Sequence, residues 1–379
     1  MELQDFRREL DGIDSQLLQL FYRRMEITTQ IGEYKKENNL PVCDPARERE
    51  VLLRIADESP EGLGDYAVTL YSLIFELSRA RQNRLRDEKT ALAAQIMNAI
   101  ANTPSIFPES ATVACQGVEG AYSQLACSKL FRLPDIRYCA SFEGVFSAID
   151  QGLCRYGVIP VENSTAGSVN AVYDLMMKHK FRIVRSVRLQ IEHNLLVKPG
   201  SRLSDIREIY SHQQAITQCA RFLHGLSDVK IIPCENTAVA AKLAAASDGS
   251  VAAISSRACS RLYGLDCLIP SVQDRANNST RFICIAKDLE IYPGADRTSL
   301  MMILPHTPGS LYKVLARFNV LGLNLNKLES RPLPNRNFEF MFYFDLDTPV
   351  YSPGFLQLMS EMESICEEFH YLGSYSEII

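Results

Sequence analysis

Two groups of residues in this 379-residue chain have types and spacings suited to chemistry. The first is Asn277-Asn278-Ser279-Thr280-Arg281-Phe282, where a hydroxyl and a guanidinium stand side by side at the mouth of the apolar run Phe282 to Ala286. A polar turn before a strand reads the same way. Several upstream turns share its composition: Gly120-Ala121-Tyr122-Ser123, Glu162-Asn163-Ser164-Thr165, Ser211-His212-Gln213-Gln214, Asn236-Thr237 and Ser255-Ser256. Each alone suits a helix cap. Converging, such side chains and free backbone N–H groups at helix starts make an anion site that needs no lysine, fit for a small dianion. The second group is Arg24 and Lys35. Arg24 falls where an apolar helix seam calls for an apolar residue. Lys35 lies about 16 Å further along the axis and within about 20° of the same face. A charge on a packing face costs several kcal/mol unless something anionic answers it; the alternative is an arginine snorkelling at a helix edge.

The elements that must position these groups fall into three blocks. Leu3, Phe6, Leu10, Ile13, Leu17, Leu20, Ile27, Ile31 and Tyr34 form a heptad-like seam along one long helix. After the turn Asn38–Pro41, Asp44-Pro45 reads as N-cap and first position of a second helix, with Arg47 and Glu48 on the face of Asp44. Ser59-Pro60-Glu61-Gly62 ends it, and a third helix runs from about Gly64 towards Asn98, with Ser78 and Gln82 one turn apart. Beyond the Pro-bearing linker Thr103–Pro108, short apolar runs at 112–115, 157–161, 208–210, 229–232, 251–254 and 282–286 alternate with helical patterns. That implies a mostly parallel sheet with helices on both faces, and ligands outside the carboxyl ends of its strands. In the third block a strand over 298–304 is followed by a helix opened by Thr307-Pro308-Gly309-Ser310, and by strands over 323–330 and 338–346. A helix from Pro353 to about Phe369 and a strand over 371–375 complete a βαββαβ, ferredoxin-like plan. In the strand 338–346, Phe338, Phe340, Phe342, Phe344 and Leu346 alternate with Glu339, Met341, Tyr343 and Asp345, as in a half-buried strand. The expected division is a helical domain 1–100, a linker 101–110, a two-lobed α/β domain 111–287 and a ferredoxin-like domain 298–379.

Composition narrows the function class. With 46% hydrophobic and 22% charged residues the chain is a soluble globular protein, and its formal charge of -5 argues against nucleic acid as a partner. Eleven cysteines without a Cys-x-x-Cys pair or a histidine cluster suit a reducing compartment with free thiols, not disulfides or zinc. No signal-peptide core and no membrane-length apolar run is found, so the expected location is the cytoplasm.

The helical block resembles the all-helical chorismate mutase family through Arg7, Arg24, Lys35, Asp44, Arg47, Glu48, Ser78 and Gln82. The resemblance implies two interlocked subunits, with Arg7 reaching the partner's site. Arg7 and Arg24 would clamp the two carboxylates of chorismate, Lys35 and Gln82 would meet the ether oxygen, and Glu48, with Asp44, would receive the ring hydroxyl. Arg47 and Ser78 would support them. The middle block resembles prephenate dehydratase, two-lobed like periplasmic binding proteins, through Gly117–Ser123, Pro160–Gly167, Tyr210-Ser211-His212 and Thr280-Arg281-Phe282. There the resemblance implies a site with Glu162, Asn163, Ser164, Ser211, His212, Thr280, Arg281 and Phe282. Thr280 would act at the departing hydroxyl, Arg281 on the side-chain carboxylate, and Glu162 as a candidate acid. His212 fits an acid or a helix-start role equally, and the other five histidines read as structural or surface. The last block resembles the amino-acid-binding ACT regulatory domain of the same enzymes, through Pro308-Gly309-Ser310-Leu311 and Glu329-Ser330-Arg331-Pro332. Phenylalanine is expected near Gly309, Ser310, Leu311, Glu329, Ser330, Arg331 and Pro332, with Asn324 as an extra contact. The chain is thus expected to be a feedback-inhibited enzyme acting on chorismate and prephenate, a homodimer or homotetramer, with no metal or organic cofactor implied. A ligand-sensing module without chemistry, a helical block serving only as a dimerisation arm, and arogenate as substrate are the alternatives.

Overall fold

The computed structural model describes residues 3–85, 90–333, 336, 339–352 and 354–379. In chain order the helical region contains α1 (Leu3–Glu37), α2 (Pro45–Glu58), α3 (Gly64–Leu85) and α4 (Ala91–Asn102). The middle region continues with β1 (Ser110–Gln116), α5 (Tyr122–Leu130), β2 (Leu133–Cys139), α6 (Phe142–Asp150), β3 (Tyr156–Asn163), β4 (Gly167–Ser168), α7 (Asn170–His179), β5 (Arg182–Gln190) and β6 (Asn194–Val197). It goes on with β7 (Glu208–His212), α8 (Gln213–Gln218), α9 (Ala220–His224), β8 (Lys230–Cys234), α10 (Thr237–Ala246), β9 (Val251–Ser255), α11 (Arg257–Tyr263), β10 (Asp266–Ile269) and β11 (Ser279–Ala286). The last region is β12 (Arg297–Ile303), α12 (Ser310–Val320), β13 (Asn324–Pro332), β14 (Phe340–Asp347), α13 (Phe355–Ile365), β15 (Glu368–Tyr375) and β16 (Glu377–Ile378).

These elements form two compact units whose boundaries differ from the three-block division. One comprises residues up to Ala94 with Pro305–Val320 and Leu356–Cys366; the other comprises Gln95–Leu304, Leu321–Phe355 and Glu367–Ile379. The helices of the ferredoxin-like sequence therefore belong to the first unit and its strands to the second.

In the first unit α3 packs against both α1 and α2. Asp44 caps α2 as expected, accepting from Arg47 N–H at 3.1 Å. The expected continuous third helix is two: α3 ends at Leu85, and a new helix starts behind Thr90, whose Oγ1 accepts from Ala93 N–H at 3.2 Å. Residues 86–89 lie outside the described set. Buried Arg317 of α12 donates to Glu76 O (2.9 Å) and Glu76 Oε2 (3.1 Å) on α3, and its Nη1 is 3.7 Å from Glu361 of α13. Desolvated charges are tolerable only when paired in this way. Most of the α1 seam is open: Phe6, Leu10, Ile13 and Leu17 are 48, 57, 47 and 55% exposed, and only Thr28 and Gly32 of α1 are buried.

The second unit holds two lobes and a third sheet. The first lobe's sheet runs β16-β5-β11-β3-β1-β2, with β4 on β3; the second lobe's runs β10-β6-β9-β7-β8; the third is β13-β14-β12-β15. The sheets are mixed and not mostly parallel. β11 is antiparallel to both β3 and β5, and β6 is antiparallel to β9 and β10. The chain crosses between lobes twice, at 191–193 and 270–278, and the crossings hold each other through Ile191 N–H to Asn278 O (2.8 Å) and Val272 N–H to His193 O (2.7 Å). Such neighbouring strands from distant sequence need antiparallel returns that alternating βα units do not announce. The loop 117–121 touches the second lobe closely: at Gly120 (φ 89°) an added Cβ would stand 2.8 Å from Cys259 Sγ, so only glycine fits.

Strand β14 is not half-buried. Met341, Tyr343 and Asp345, expected to face solvent, are 1, 1 and 3% exposed, and Phe344 and Leu346 on the other face are buried too. The supposed outer face packs into a core with Val172, Tyr173 and Met176 of α7 and with Ile183. The last helix ends at Ile365, and β15 begins at Glu368, within the stretch expected to be helix. Phe338 and Pro353 lie outside the described residues.

Candidate functional site

Thr280 and Asn163 face each other in register where β11 and β3 adjoin. Asn163 Nδ2 donates to Thr280 Oγ1 (2.9 Å) and Asn278 Oδ1 (2.8 Å). Its Oδ1 accepts from Thr165 N–H (3.0 Å), the Thr165 hydroxyl (2.7 Å) and Ala166 N–H (2.9 Å). From the second lobe, Gln218 Nε2 donates to Thr165 Oγ1 at 2.6 Å, while its Oε1 accepts from Asn278 Nδ2 at 2.9 Å. Because Thr280 Oγ1 accepts from Asn163, its own proton is free to point elsewhere.

That proton borders a cavity of about 530 Å³ between the lobes, lined by Gln116, Ala121, Tyr122, Ser123, Asn163, His193, His212, Gln214, Gln218, Glu235, Asn236, Thr237, Thr280 and Phe282 among others. Four of the five polar turns thus converge. The fifth does not: Ser255 Oγ donates to Thr237 O at 2.7 Å, and Ser256 caps α11. Among the described residues no lysine or arginine lines the cavity. Anion-binding capacity lies instead at helix starts. α5 begins behind Ala121, which has no side chain able to cap it, whereas Asn236 caps α10.

Several expected site residues face elsewhere. Between Phe282↔Pro160 and Arg281↔Glu162 the register slips by one, so Val161 is a bulge. A bulge re-aims the side chains beyond it. Asn163 and Thr280 turn to the cleft, while Glu162 and Arg281 share the opposite side, in a separate polar pocket of about 390 Å³. Glu162 is 3.2 Å from Lys327 there. Arg281 lies inside the strand, not in a turn before it, and is 7% exposed among Asp345, Tyr375 and Glu377. Ser164 also opens to that pocket, its hydroxyl donating to Asn277 O at 2.9 Å. Ser211 is fully buried and donates to Ile254 O at 2.7 Å, a structural bond.

The histidines sort by burial. His212 Nδ1 accepts from Gln214 N–H at 3.3 Å as the cap of α8, and burial pushes its pKa down, so it is neutral near pH 7. His193, read as structural or surface, lines the cleft while 3% exposed, its Nε2 2.9 Å from Gln218 Oε1. An amide oxygen only accepts, so the proton is assigned to Nε2, leaving buried Nδ1 an unpartnered acceptor. Burial lowers its pKa, against the raising effect of Gln218. Gln218, Glu235 and Gln116 were likewise not singled out from the sequence; none carries a local motif, and each reaches the cleft only through the meeting of lobes.

In the helical unit, Arg24 Nη1 donates to Ser78 Oγ at 2.5 Å, with its guanidinium carbon 5.6 Å from the Phe75 ring centroid. Lys35 Nζ donates to Val42 O at 2.7 Å. Arg79 binds the carboxylates of both Glu48 and Glu76. Gln82 is buried with Oε1 unpartnered, packed on Gly32 of α1. Adjacent Ser78 and Arg79 on α3 therefore hold Arg24 of α1 and Glu48 of α2. Arg47, 58% exposed, pairs with Glu50 at 2.7 Å. Arg7 is exposed on α1.

The expected effector residues are split between units: Gly309 (φ 83°), Ser310 and Leu311 in the first, Asn324 and Glu329–Pro332 in the second. Asn324 Nδ2 donates to Asp347 at 3.0 Å. Arg331 is 3.1 Å from Asp174 of α7, and Glu329 Oε2 accepts from the hydroxyl of Ser168, a cleft-lining residue, at 2.7 Å.

A two-lobed α/β unit with a polar cleft, joined to a helical block bearing inward cations, defines a class of enzyme acting on small carboxylates. Family models agree: chorismate mutase type II matches residues 6–83, and prephenate dehydratase matches residues 113–290. The chain is 32% identical over 378 residues to the bifunctional chorismate mutase/prephenate dehydratase of Escherichia coli (strain K12), covering 97% of this chain and 95% of that one. It is 34% identical over 281 residues to arogenate dehydratase/prephenate dehydratase 1 of Arabidopsis thaliana, covering 69% and 71%. A solved prephenate dehydratase from Arthrobacter aurescens in complex with L-Phe superimposes with a TM-score of 0.64 at 27% identity, covering 70% of this chain and 89% of that one. The chain belongs to the bifunctional chorismate mutase/prephenate dehydratase family.

Proposed function

We propose that the helical block rearranges chorismate to prephenate and that the cleft converts prephenate to phenylpyruvate. The observation that carries the second step is the Thr280 hydroxyl, oriented by Asn163 at the wall of the cleft. Loss of the ring carboxylate as CO2 leaves its bonding electrons to expel the ring hydroxyl, which takes a proton and departs as water. An aliphatic hydroxyl is too weak an acid to supply that proton alone, so Thr280 orients the leaving group and relays. Glu162 loses its candidacy as acid, since it faces Lys327 on the other side of the sheet. The uncapped start of α5 supplies N–H groups for the dianion.

Chorismate needs no nucleophile; the protein holds one conformer and answers developing charge. Arg24 would clamp a carboxylate, Lys35 and Gln82 would meet the ether oxygen, and Glu48, steadied by Arg79, would take the ring hydroxyl. Arg7 precedes Arg24 on one helix by a span of about 26 Å, so it serves only the site of a second copy. With the open α1 seam this supports a homodimer, or a tetramer of such pairs. L-phenylalanine is read as the effector at residues 298–379, supported by the Glu329–Ser168 bond to the cleft wall. Eleven free cysteines fit a reducing cytoplasm, and among the described residues no helix is long and apolar enough to cross a membrane. Arogenate is a second reading, favoured by Glu235: a carboxylate in a cleft that, among the described residues, no lysine or arginine lines suits a substrate ammonium.

Feeding chorismate, prephenate or arogenate to the purified protein, with and without L-phenylalanine, tests these assignments. Phenylpyruvate formed from chorismate and suppressed by phenylalanine is expected. Unchanged chorismate would remove the mutase assignment, and phenylalanine formed from arogenate with prephenate untouched would replace the dehydratase substrate.

A further inference from the structure

Arg281 faces away from the cleft, and its surroundings give it another task. Arg281, Ile283 and Ile285 alternate with Thr280, Phe282 and Cys284, and the two isoleucines enter the core shared with Met301, Tyr343 and Tyr375. On that face Arg281 Nη1 donates to Asp345, Nη2 to the Tyr375 hydroxyl, and Nε lies 3.3 Å from Glu377 Oε2. These partners sit on β14, β15 and β16. Ser299 of β12 donates to the same Asp345 and is 2.7 Å from Tyr375 Oη, while Glu377 is also paired with Arg297 at 3.3 Å. A substrate clamp must present free donors to the ligand. Both terminal nitrogens of this guanidinium are taken by buried protein oxygens, and Nε, though without a hydrogen bond, lies in ion-pair range of Glu377. Pulling the group out would leave buried Asp345 without a cation, while Glu377 would keep Arg188 at 3.0 Å and Arg297 at 3.3 Å.

We propose that Arg281 is a positioning residue for the dehydration step. Held by Asp345, Tyr375 and Glu377, it fixes the end of β11 so that the neighbouring Thr280 hydroxyl stays on Asn163 and aimed into the cleft. Residues near position 376, far along the chain from the cleft's own motifs, thereby become part of what the reaction requires. The inference rests on the reading of Thr280 given above.

The test is steady-state kinetics on prephenate for full-length Tyr375→Phe, Glu377→Gln, Arg281→Lys and Thr280→Val, each checked for a native thermal transition. A displaced reacting group costs up to about a hundredfold in rate. Tyr375→Phe and Glu377→Gln are therefore expected to lower kcat between about tenfold and about a hundredfold, with KM within about twofold. Arg281→Lys keeps the charge but not the three-way hold, and is expected to show the same pattern. A KM raised about tenfold at unchanged kcat in Arg281→Lys is the signature of a lost clamp and overturns the proposal. Tyr375→Phe removes one oxygen and no charge, so it decides the matter where a charge variant does not fold; unchanged kcat there overturns the proposal as well. A fully active Thr280→Val overturns the reading of Thr280 itself, whereas an inactive Thr280→Val beside a silent Tyr375→Phe refutes the strut alone.

Discussion

Asn163→Ala tests the centre of the cleft most directly. Truncation removes the donor to Thr280 Oγ1 and Asn278 Oδ1 and the acceptor for the Thr165 and Ala166 N–H groups. Asn278 is 1% exposed, so its oxygen keeps only a 3.4 Å contact from the Thr165 hydroxyl. A buried acceptor left in that state costs about 1–3 kcal/mol, and each remaining bond contributes about 0.5–1.5 kcal/mol net. Thr165 is half-buried and Ala166 exposed, so water recovers part of their loss. The sum is roughly 3–5 kcal/mol, confined to the two-lobed unit. A domain of this size shifts by about 2–4 °C per kcal/mol, which predicts a fall of about 6 °C or more in its calorimetric transition. Thr280 also loses its orienting donor, so kcat on prephenate is expected to fall by about tenfold to a hundredfold. Turnover of chorismate should stay within about twofold, because its residues sit in the other unit. A variant with the transition within about 2 °C of the parent and normal prephenate turnover would refute the network argument.

Three further outcomes are expected. Lys35→Ala and Gln82→Leu should each slow chorismate turnover by at least about a hundredfold, in line with the loss of an electrostatic donor, and leave prephenate turnover normal; stopped assays on both substrates check this. Leu10→Glu with Leu17→Glu should shift the protein towards monomer in sedimentation and abolish mutase activity, since each leucine buried between copies is worth about 1.5–3 kcal/mol. His193 and His212 both have pKa values held below the ordinary 6.5 by burial. A base depressed in the folded state gives stability that is complete above the unfolded value and lost as pH falls through the folded one. The two-lobed unit should therefore lose thermal stability as pH drops below about 6.5, and His193→Gln should flatten that slope; an identical slope in the variant would exclude His193 as its source.

How much was legible beforehand depends on the range of the interaction that decides each feature. The long first helix, the Asp44 cap and the six short apolar strands are local, set by periodicity and capping chemistry, and the chain shows them where expected. The convergence of the turns at Tyr122, Asn163, His212 and Thr237 was also readable, because strand–turn–helix units deliver their carboxyl ends to one side. β2, β5, β6 and β10 lie outside the six apolar runs: Leu133–Cys139 and Asp266–Ile269 carry exposed or polar residues, and their strand state depends on their neighbours. Missing β5 and β6 hid the crossing that carries His193. No glycine or proline separates the third helix from the fourth, and the new start at Thr90 is a single hydroxyl, so the helical pattern runs on through both.

By itself the sequence determined which residue types were available: a hydroxyl beside a guanidinium at 280–281, cations in an apolar helix seam, and amide-rich turns. It also determined the strict alternation along 280–286, which is a property of any strand. Only the tertiary structure decided which side of that strand is the cleft. The packing of β14 and β15 on the opposite face takes Arg281 into a buried ion network and leaves Thr280 to the cleft, and one bulge at Val161 of β3 sets Asn163 beside Thr280 and Glu162 beside Arg281. Both depend on register and on sheets meeting across long chain separations, and a one-residue slip, invisible in composition or period, exchanges the two faces.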